Sequence, residues 1–146
     1  MRIYLDNCSL QRPLDDKSQL RIEMEADAII EILSHCETGK LTLISSEILR
    51  IEIDDNTDSK RKTASVGILD IAREIVMIDA EIERRAEEFA QTGIKPSDAL
   101  HLASAEAGKA GFFCTCDDRL LKKAKAFPEL KVRAVSPIEL LNEVEL

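Results

Sequence analysis

Five short apolar runs are spread along the chain, at residues 2–5, 41–44, 74–78, 111–116 and 131–135. Each is rich in Ile, Val, Leu or Phe and is too short for a typical helix, so each predicts a β-strand. The runs are almost continuously apolar and do not alternate with polar residues. This pattern indicates the strands of a parallel sheet that is buried on both faces.

Stretches with apolar residues at helical spacing separate these runs. Residues 17–37 form the longest, and Gly39 follows as a stop signal. Ser46 is placed to cap a helix through residues 48–53. Further helices are predicted within 59–75, over 80–90, from Pro96, from Asp117 or Asp118, and from Pro137. Strands that alternate with helices predict an α/β fold with helices on both faces of the sheet.

Length, composition and net charge narrow the classes of protein that fit this pattern. The 146 residues suit one domain, 1–146, and the 45% of hydrophobic residues argues against disorder. Aromatic residues are only 3% and Trp is absent, which argues against an aromatic stacking platform for single-stranded nucleic acid. The net charge of −8 argues against a general binder of phosphate backbones. It is compatible with a metal nuclease, in which acids hold cations.

The cysteines and the hydropathy suggest a compartment. The chain opens directly on a strand-like run with no signal peptide, so we expect a cytoplasmic protein with free thiols at Cys8, Cys36, Cys114 and Cys116. Cys114 and Cys116 should share one face of a strand, and their spacing argues against a zinc site. No apolar run approaches the roughly 20 residues that a membrane span needs, so no membrane association is expected.

Two acids stand at the ends of predicted strands. Asp6 directly follows the first run, and Asp117 directly follows the fourth. In a parallel sheet these positions share the carboxyl edge, where open α/β folds bind ligands. The segment 7–16, predicted to be the longest irregular piece, also begins there. The two carboxylates are therefore expected to face one crevice.

Two further acids could join them from helices. Glu52 interrupts an apolar helical pattern, and Asp98 begins a helix of apolar and small residues, where the helix dipole favours its ionised form. Converging carboxylates repel one another unless a cation neutralises them, and oxygen ligands suit Mg²⁺ or Mn²⁺. Such a site supports attack by metal-activated water on a phosphodiester. Taken singly, each acid could equally be a helix cap or a surface residue.

Four motifs span almost the whole chain: YLDN at 4–7, SSEILRIE at 45–52, KPSDALHLASA at 95–105 and TCDDRLL at 115–121. In order and spacing they resemble those of the PIN-domain nucleases. The resemblance implies a three-layer α/β/α sandwich with a central parallel sheet of about five strands. It also implies four acids around Mg²⁺ or Mn²⁺. Many members of that family are ribonuclease toxins paired with an antitoxin protein.

Residue by residue, the resemblance implies a set of four acids that hold the metal and carry catalysis: Asp6, Glu52, Asp98 and Asp117. Glu47 is the rival for the second acid and Asp118 for the fourth, unless Asp118 is a supporting partner outside the metal shell. Thr115 matches a residue that steadies the fourth acid. Asn7 stands where the family usually has a hydroxyl residue, and its amide can still bond a metal-bound water.

Other polar residues near these motifs are ambiguous. His101 lies one helical turn after Asp98 and could carry protons or contact substrate. Since the metal mechanism does not require it, a packed histidine is the favoured interpretation. Basic residues flank the acids and could contact phosphates, although solvated surface is the default for each: Arg12, Arg50, Lys95, Arg119 and Lys122.

The expected function is therefore a Mg²⁺- or Mn²⁺-dependent ribonuclease that acts on single-stranded or structured RNA, as the toxin of a toxin–antitoxin pair. The alternative is a catalytically inactive PIN-like module that binds a protein partner. Cys8 argues against a haloacid-dehalogenase phosphatase, which needs a second Asp there, and Asn7 weakens a receiver-domain match. Helices 17–37 and 138–144 could form a homodimer or antitoxin surface, but core packing is the stronger expectation for both.

Overall fold

The computed structural model describes residues 1–145 of the chain. Its strands are β1 (Arg2–Leu5), β2 (Thr42–Ser46), β3 (Glu74–Val76), β4 (Phe112–Cys114) and β5 (Arg133–Val135). Its helices are α1 (Asn7–Gln11), α2 (Leu20–Glu37), α3 (Glu47–Asp54), α4 (Ser59–Leu69), α5 (Ala80–Ala90), α6 (Pro96–Ala107), α7 (Asp118–Ala126) and α8 (Pro137–Val144). A 3-10 turn covers Arg12–Leu14.

The five strands form one parallel sheet in the order β3-β2-β1-β4-β5. Tyr4 in the central strand pairs with Ile44 of β2 and with Phe113 of β4. All five strands end at the same edge of the sheet because all run in the same direction. The five apolar runs therefore correctly predicted the strands and their parallel arrangement.

Side chains of the central strands alternate between two cores. Tyr4, Ile44 and Phe113 pack on the face covered by α5 and α6. Ile3 and Leu5 pack on the opposite face, with α2, α3 and α8. Because successive residues of a strand point to opposite faces, each of these central strands is buried on both sides. The predicted three-layer α/β/α sandwich is confirmed.

Helix starts agree with the capping residues seen in the sequence. The Ser46 hydroxyl accepts a hydrogen bond from the Leu49 amide at 3.2 Å and begins α3. Asp117, and not Asp118, is the N-cap of α7. Pro96 and Pro137 lie in the first turns of α6 and α8. Ser46 and Asp117 accept hydrogen bonds from amides that have no partner inside the helix, whereas a first-turn proline has no such amide to satisfy.

Residues 7–16 differ from the prediction of an irregular segment. Residues 7–14 form α1 and the 3-10 turn, and Leu10 is buried. Arg12 holds this segment to α2, because its guanidinium lies 3.2 Å from a carboxylate oxygen of the buried Glu25. A five-residue helix has little stability of its own, so tertiary contacts determine it. Local sequence periodicity could not reveal it.

Helices α2 and α8 contribute mainly to the core. Ile29 and Ile32 of α2 and Leu140 and Val144 of α8 are buried in one cluster. Some apolar side chains of α2 remain exposed, notably Leu20 and Met24. Within residues 1–145, no helix has the length and the apolar character needed to cross a membrane.

Candidate active site

A cavity of about 200 Å³ opens at the carboxyl edge of the sheet. Its lining consists of Asp6, Asn7, Cys8, Glu52, Asp98, His101 and Asp117. The four predicted acids thus lie around one space, although they come from four separate segments of the chain. Parallel strands and the helices that follow them bring these segments to the same edge.

Asp6 enters the cavity at the junction of β1 and α1. It is the N-cap of α1, and its Oδ1 accepts a hydrogen bond from the Ser9 amide at 3.0 Å. The Asp6 amide donates to the carbonyl of Cys114 in the neighbouring strand at 3.2 Å. The Cys8 thiol also contacts the carboxylate, with Sγ 3.1 and 3.3 Å from its two oxygens. The position of Asp6 is therefore determined from both sides.

Asp117 is the N-cap of α7, just as Asp6 is the N-cap of α1. Its Oδ1 accepts hydrogen bonds from the amides of Arg119 and Leu120 at 2.9 and 3.1 Å. The Asp117 amide donates to the buried Thr115 hydroxyl at 3.1 Å. Thr115 thus binds the backbone of the fourth acid and does not itself line the cavity.

Glu52 reaches the cavity from α3, and a buried chain of polar groups stands behind it. Its Oε1 lies 2.5 Å from Nε2 of His101. The other ring nitrogen of His101, Nδ1, lies 2.6 Å from the Tyr4 hydroxyl. That hydroxyl lies 2.6 Å from the hydroxyl of Ser46. His101 is 2% exposed, so its imidazole is fixed in the core.

Asp98 lies in the first turn of α6 and is half-buried. Burial raises the pKa of its carboxyl, and the negative charges of Asp6, Asp117 and Glu52 raise it further, while His101 opposes the shift. Both causes disfavour the charged form. The acids are therefore close enough to repel one another, and a bound cation would relieve that repulsion.

The two rival acids lie outside this cavity. Oε1 of Glu47 accepts a hydrogen bond from the Ile78 amide at 2.8 Å, so Glu47 supports the segment after β3. Asp118 is exposed and forms a bidentate ion pair with Arg21, in which its two carboxylate oxygens lie 2.5 and 2.7 Å from the guanidinium nitrogens. Asn7 does line the cavity, and its Oδ1 accepts a hydrogen bond from Gln11 at 3.0 Å.

The donor set fits a hard divalent cation. All four acids offer carboxylate oxygen, which Mg²⁺ and Mn²⁺ prefer. Within residues 1–145, three potential ligand atoms come within 4.8 Å of one another only at Glu31, His35 and Glu145, on another part of the surface. No three of the cavity acids therefore bring ligand atoms that close together. This spacing suits Mg²⁺, which keeps several waters and takes one or two carboxylates directly.

A second cavity of about 120 Å³ adjoins the first and shares Asp98 and Asp117 with it. Its other lining residues are Gly93, Ile94, Lys95, Arg119, Leu120 and Lys123. Nζ of Lys123 donates a hydrogen bond to the Gly93 carbonyl at 2.7 Å. As far as the chain is described, none of its three cations has a carboxylate partner within 4.0 Å, so their charges are free for an anionic ligand.

Sequence reasoning overlooked three residues of the site: Cys8 beside Asp6, and Tyr4 and Ser46 behind Glu52. A signal existed for Tyr4. It is the only tyrosine in the chain and lies in an otherwise apolar strand, so its hydroxyl needed a buried partner. Ser46 was predicted only as a helix cap, because nothing local indicates its contact with Tyr4.

Comparison with known proteins identifies the family. The family model described as PIN domain matches residues 9–126. No sequence among the curated proteins matches the chain significantly. Several solved structures share its fold, at identities that by themselves show the fold alone.

Three of these structures illustrate the likeness. VapBC2 from Rickettsia felis, bound to a DNA fragment from its promoter, is 17% identical, has a TM-score of 0.62, and the match covers 93% of this chain and 98% of that one. FitAcB from Neisseria gonorrhoeae is 17% identical, with a TM-score of 0.60 and the same coverage. VapBC-1 from nontypeable Haemophilus influenzae is 13% identical, with a TM-score of 0.63 and coverage of 94% and 99%.

The family match spans most of the chain, and it includes three of the four motifs that first suggested the resemblance. The fold agrees along nearly the whole length of the similar structures. This chain belongs to the PIN domain family.

Proposed function

We propose that this chain is a metal-dependent endoribonuclease formed by a single PIN-like domain, residues 1–146, and that it acts as the toxin of a toxin–antitoxin pair. The observation that carries the proposal is the convergence of Asp6, Glu52, Asp98 and Asp117 around one cavity. These four acids would hold Mg²⁺ or Mn²⁺. When bound, the metal would supply an activated water and neutralise charge on the phosphodiester.

The protein contributes preorganised carboxylates. One oxygen of Asp6 and one of Asp117 each accept a hydrogen bond from a backbone amide at the start of a helix. One oxygen of Glu52 is bound to His101. The second oxygens of Glu52 and Asp117 remain for a ligand in the cavity, and that of Asp6 is contacted only by the Cys8 thiol, at 3.3 Å. Because the side chains are already oriented, little conformational entropy is lost when a ligand binds.

A polyanionic substrate is supported by the neighbouring basic cavity. The overall charge of −8 would repel nucleic acid, but Lys95, Arg119 and Lys123 place positive charge directly beside the acids. Phosphates that flank the scissile bond would bind there. RNA, as opposed to DNA, is proposed from the family resemblance.

An antitoxin is the proposed protein partner. The resemblance implies such a pairing, and several similar structures are VapBC assemblies, one of them bound to promoter DNA. A homodimer is the alternative assembly. Co-expression with the product of the neighbouring reading frame, followed by light scattering of the purified complex, tests the pairing. A single monomeric species in the presence of that product would contradict it.

The proposed reaction is tested with purified protein, Mn²⁺ and three substrates: tRNA, messenger RNA and single-stranded DNA. We expect RNA cleavage that a chelator stops. Asp6→Asn and Asp98→Asn each remove a carboxylate without changing its size, and both should abolish cleavage. Unchanged cleavage by both variants would contradict the proposed site. A wild-type protein that neither binds metal nor cuts RNA would favour the inactive interaction module.

A further inference from the structure

A continuous chain of buried hydrogen bonds runs from the core to the second acid. It links Ser46, Tyr4, His101 and Glu52, with separations of 2.6, 2.6 and 2.5 Å. Ser46, Tyr4 and His101 are each at most 2% exposed. Glu52, with 28% of its side chain exposed, borders the cavity, and the ring of His101 also contributes to its lining. The chain therefore ends at the candidate site.

Each proton in this chain of hydrogen bonds needs an acceptor. This requirement sets which group donates and which accepts at each step. The Ser46 hydroxyl oxygen already accepts from the Leu49 amide, so its own proton needs an acceptor. Tyr4 is the acceptor that the described residues offer. Tyr4 then donates its proton to Nδ1 of His101, and Nε2–H donates to Glu52. In this direction every buried proton has an acceptor, as buried polar groups require.

The opposite direction leaves a proton unpaired. If Nδ1 carried a proton, it would donate to the Tyr4 oxygen, and Tyr4 would donate to Ser46. The Ser46 proton would then have no acceptor in this buried place among the residues described. A buried hydroxyl whose proton has no acceptor destabilises the fold. A ring that accepts at Nδ1 and donates from Nε2 is therefore favoured.

We propose that His101 is a positioning residue that orients Glu52 toward the cavity, with Nε2–H donating to Glu52 and Nδ1 held as an acceptor by Tyr4 and Ser46. This inference rests on the proposed function, because it assigns Glu52 to the metal site. His101 binds Oε1 of Glu52, which leaves the second oxygen for the metal. Partners of this kind, behind a metal ligand, typically contribute about 10–100-fold to metal affinity or activity.

The same chain of bonds also aligns several acids with one another. Tyr4 lies two residues before Asp6 in the same segment, and Ser46 caps the helix that carries Glu52. His101 lies in α6, one turn after Asp98. The bonds therefore connect the three segments that carry three of the four acids. A shift of one segment would stretch a buried bond, so the relative positions of these acids are coupled.

The tautomer is tested without any cleavage assay. The chain has two histidines, so long-range ¹H–¹⁵N correlation spectra of labelled protein resolve both rings, and His35→Gln assigns the signals. We expect a protonated Nε2 and an unprotonated Nδ1 for His101 at neutral pH. A ring that is protonated at Nδ1, alone or together with Nε2, would overturn the inference.

Two variants of nearly equal size separate positioning from packing. In His101→Gln the amide nitrogen lies where Nε2 was and can still donate to Glu52. In His101→Asn the shorter amide lies where Nδ1 was. It therefore keeps the hydrogen bond with Tyr4 and loses the one with Glu52. Mn²⁺ affinity, measured by electron paramagnetic resonance, should fall about 10–100-fold in His101→Asn and recover in His101→Gln. Equal affinities for both variants, whether wild-type or reduced, would overturn the inference.

Failure of this inference is distinguishable from failure of the proposed function. If wild-type protein cuts no RNA but Mn²⁺ affinity follows the order wild type, His101→Gln, His101→Asn, the positioning role stands and the proposed reaction falls. If RNA is cut in Mn²⁺ and both variants bind the metal as tightly as wild type, the reaction stands and the positioning role falls. Thermal unfolding of each variant confirms that the folded protein is being compared.

Discussion

Asp6 and Asp117 each combine two roles in one side chain. Both are N-caps, and in both Oδ1 accepts a hydrogen bond from a backbone amide at the start of a helix. A carboxylate has two oxygens with several acceptor positions, so the second oxygen can still bind a ligand, although in Asp6 the Cys8 thiol also contacts it. Capping thereby fixes the orientation of an acid without consuming its ability to bind a cation.

The two roles of Asp6 can be separated by substitution. Asp6→Asn keeps an oxygen for the Ser9 amide and removes a charge that repels Asp98, so without metal it should be at least as stable as wild type. Asp6→Ala loses the cap and should be about 1 kcal/mol less stable than Asp6→Asn. Urea unfolding in chelator measures both values.

Metal stabilisation provides the second measurement on the same proteins. A ligand that binds only the folded state stabilises it by about 2.7 kcal/mol at a concentration 100 times its dissociation constant. Mn²⁺ should therefore raise the Tm of wild type and raise it much less in both Asp6 variants. An equal rise in all three proteins would show that Asp6 is not a ligand.

The end of α6 approaches the sheet too closely for a side chain. A Cβ on Gly108 would lie 2.9 Å from Cγ2 of Ile44 and 3.0 Å from Cγ2 of Val76. Arg2 also donates two hydrogen bonds to the Gly108 carbonyl, at 2.6 and 3.2 Å. This contact sets the position of α6, which carries both Asp98 and His101.

We expect Gly108→Ala to destabilise the fold by about 1–3 kcal/mol, because the methyl group overpacks this contact. Gly67→Ala is the matched control. Gly67 lies inside α4, and a Cβ added there would have nothing within 4 Å, so alanine should stabilise by up to about 1 kcal/mol. Urea unfolding of the two variants should give opposite signs; a shared sign would refute the steric explanation.

Charge is unevenly distributed over the protein. Of the ten arginines, Arg119 at the basic cavity is one of three that make no ion pair among the described residues. The chain carries −8 overall, yet it keeps unpaired cations beside the acids. A phosphodiester substrate would therefore meet attraction at one edge of the sheet and repulsion elsewhere.

Substitution of Lys95 and Lys123 by Ala should weaken RNA binding and lower its salt dependence. For single strands, each lost phosphate contact should reduce the slope of log affinity against log salt by about 0.7. Fluorescence anisotropy in chelator measures binding without cleavage. Lys40→Ala is the control, because Lys40 is exposed just before β2, at the opposite edge of the sheet. Equal slopes for all variants would exclude the basic cavity as the binding surface.

Local sequence patterns alone determined much of this architecture. The apolar runs located all five strands, the capping residues located the starts of α3 and α7, and first-turn prolines located those of α6 and α8. They succeeded because strand burial and helix capping depend on neighbouring residues. The parallel arrangement then brought Asp6 and Asp117 to one edge, since both follow a strand. The pattern failed at residues 7–16, where a helix too short to form alone is held by Arg12 and Glu25.

Only the tertiary structure decided which other side chains join the cavity. Glu47 and Glu52 lie in the same helix, and the choice between them depends on Ile78 and His101, which belong to other segments. The contact between Tyr4 and His101 spans 97 residues, and that between His101 and Glu52 spans 49. Periodicity and capping report on contacts within a few residues. Hydrogen bonds between distant segments form only when the whole sheet and its helices are assembled.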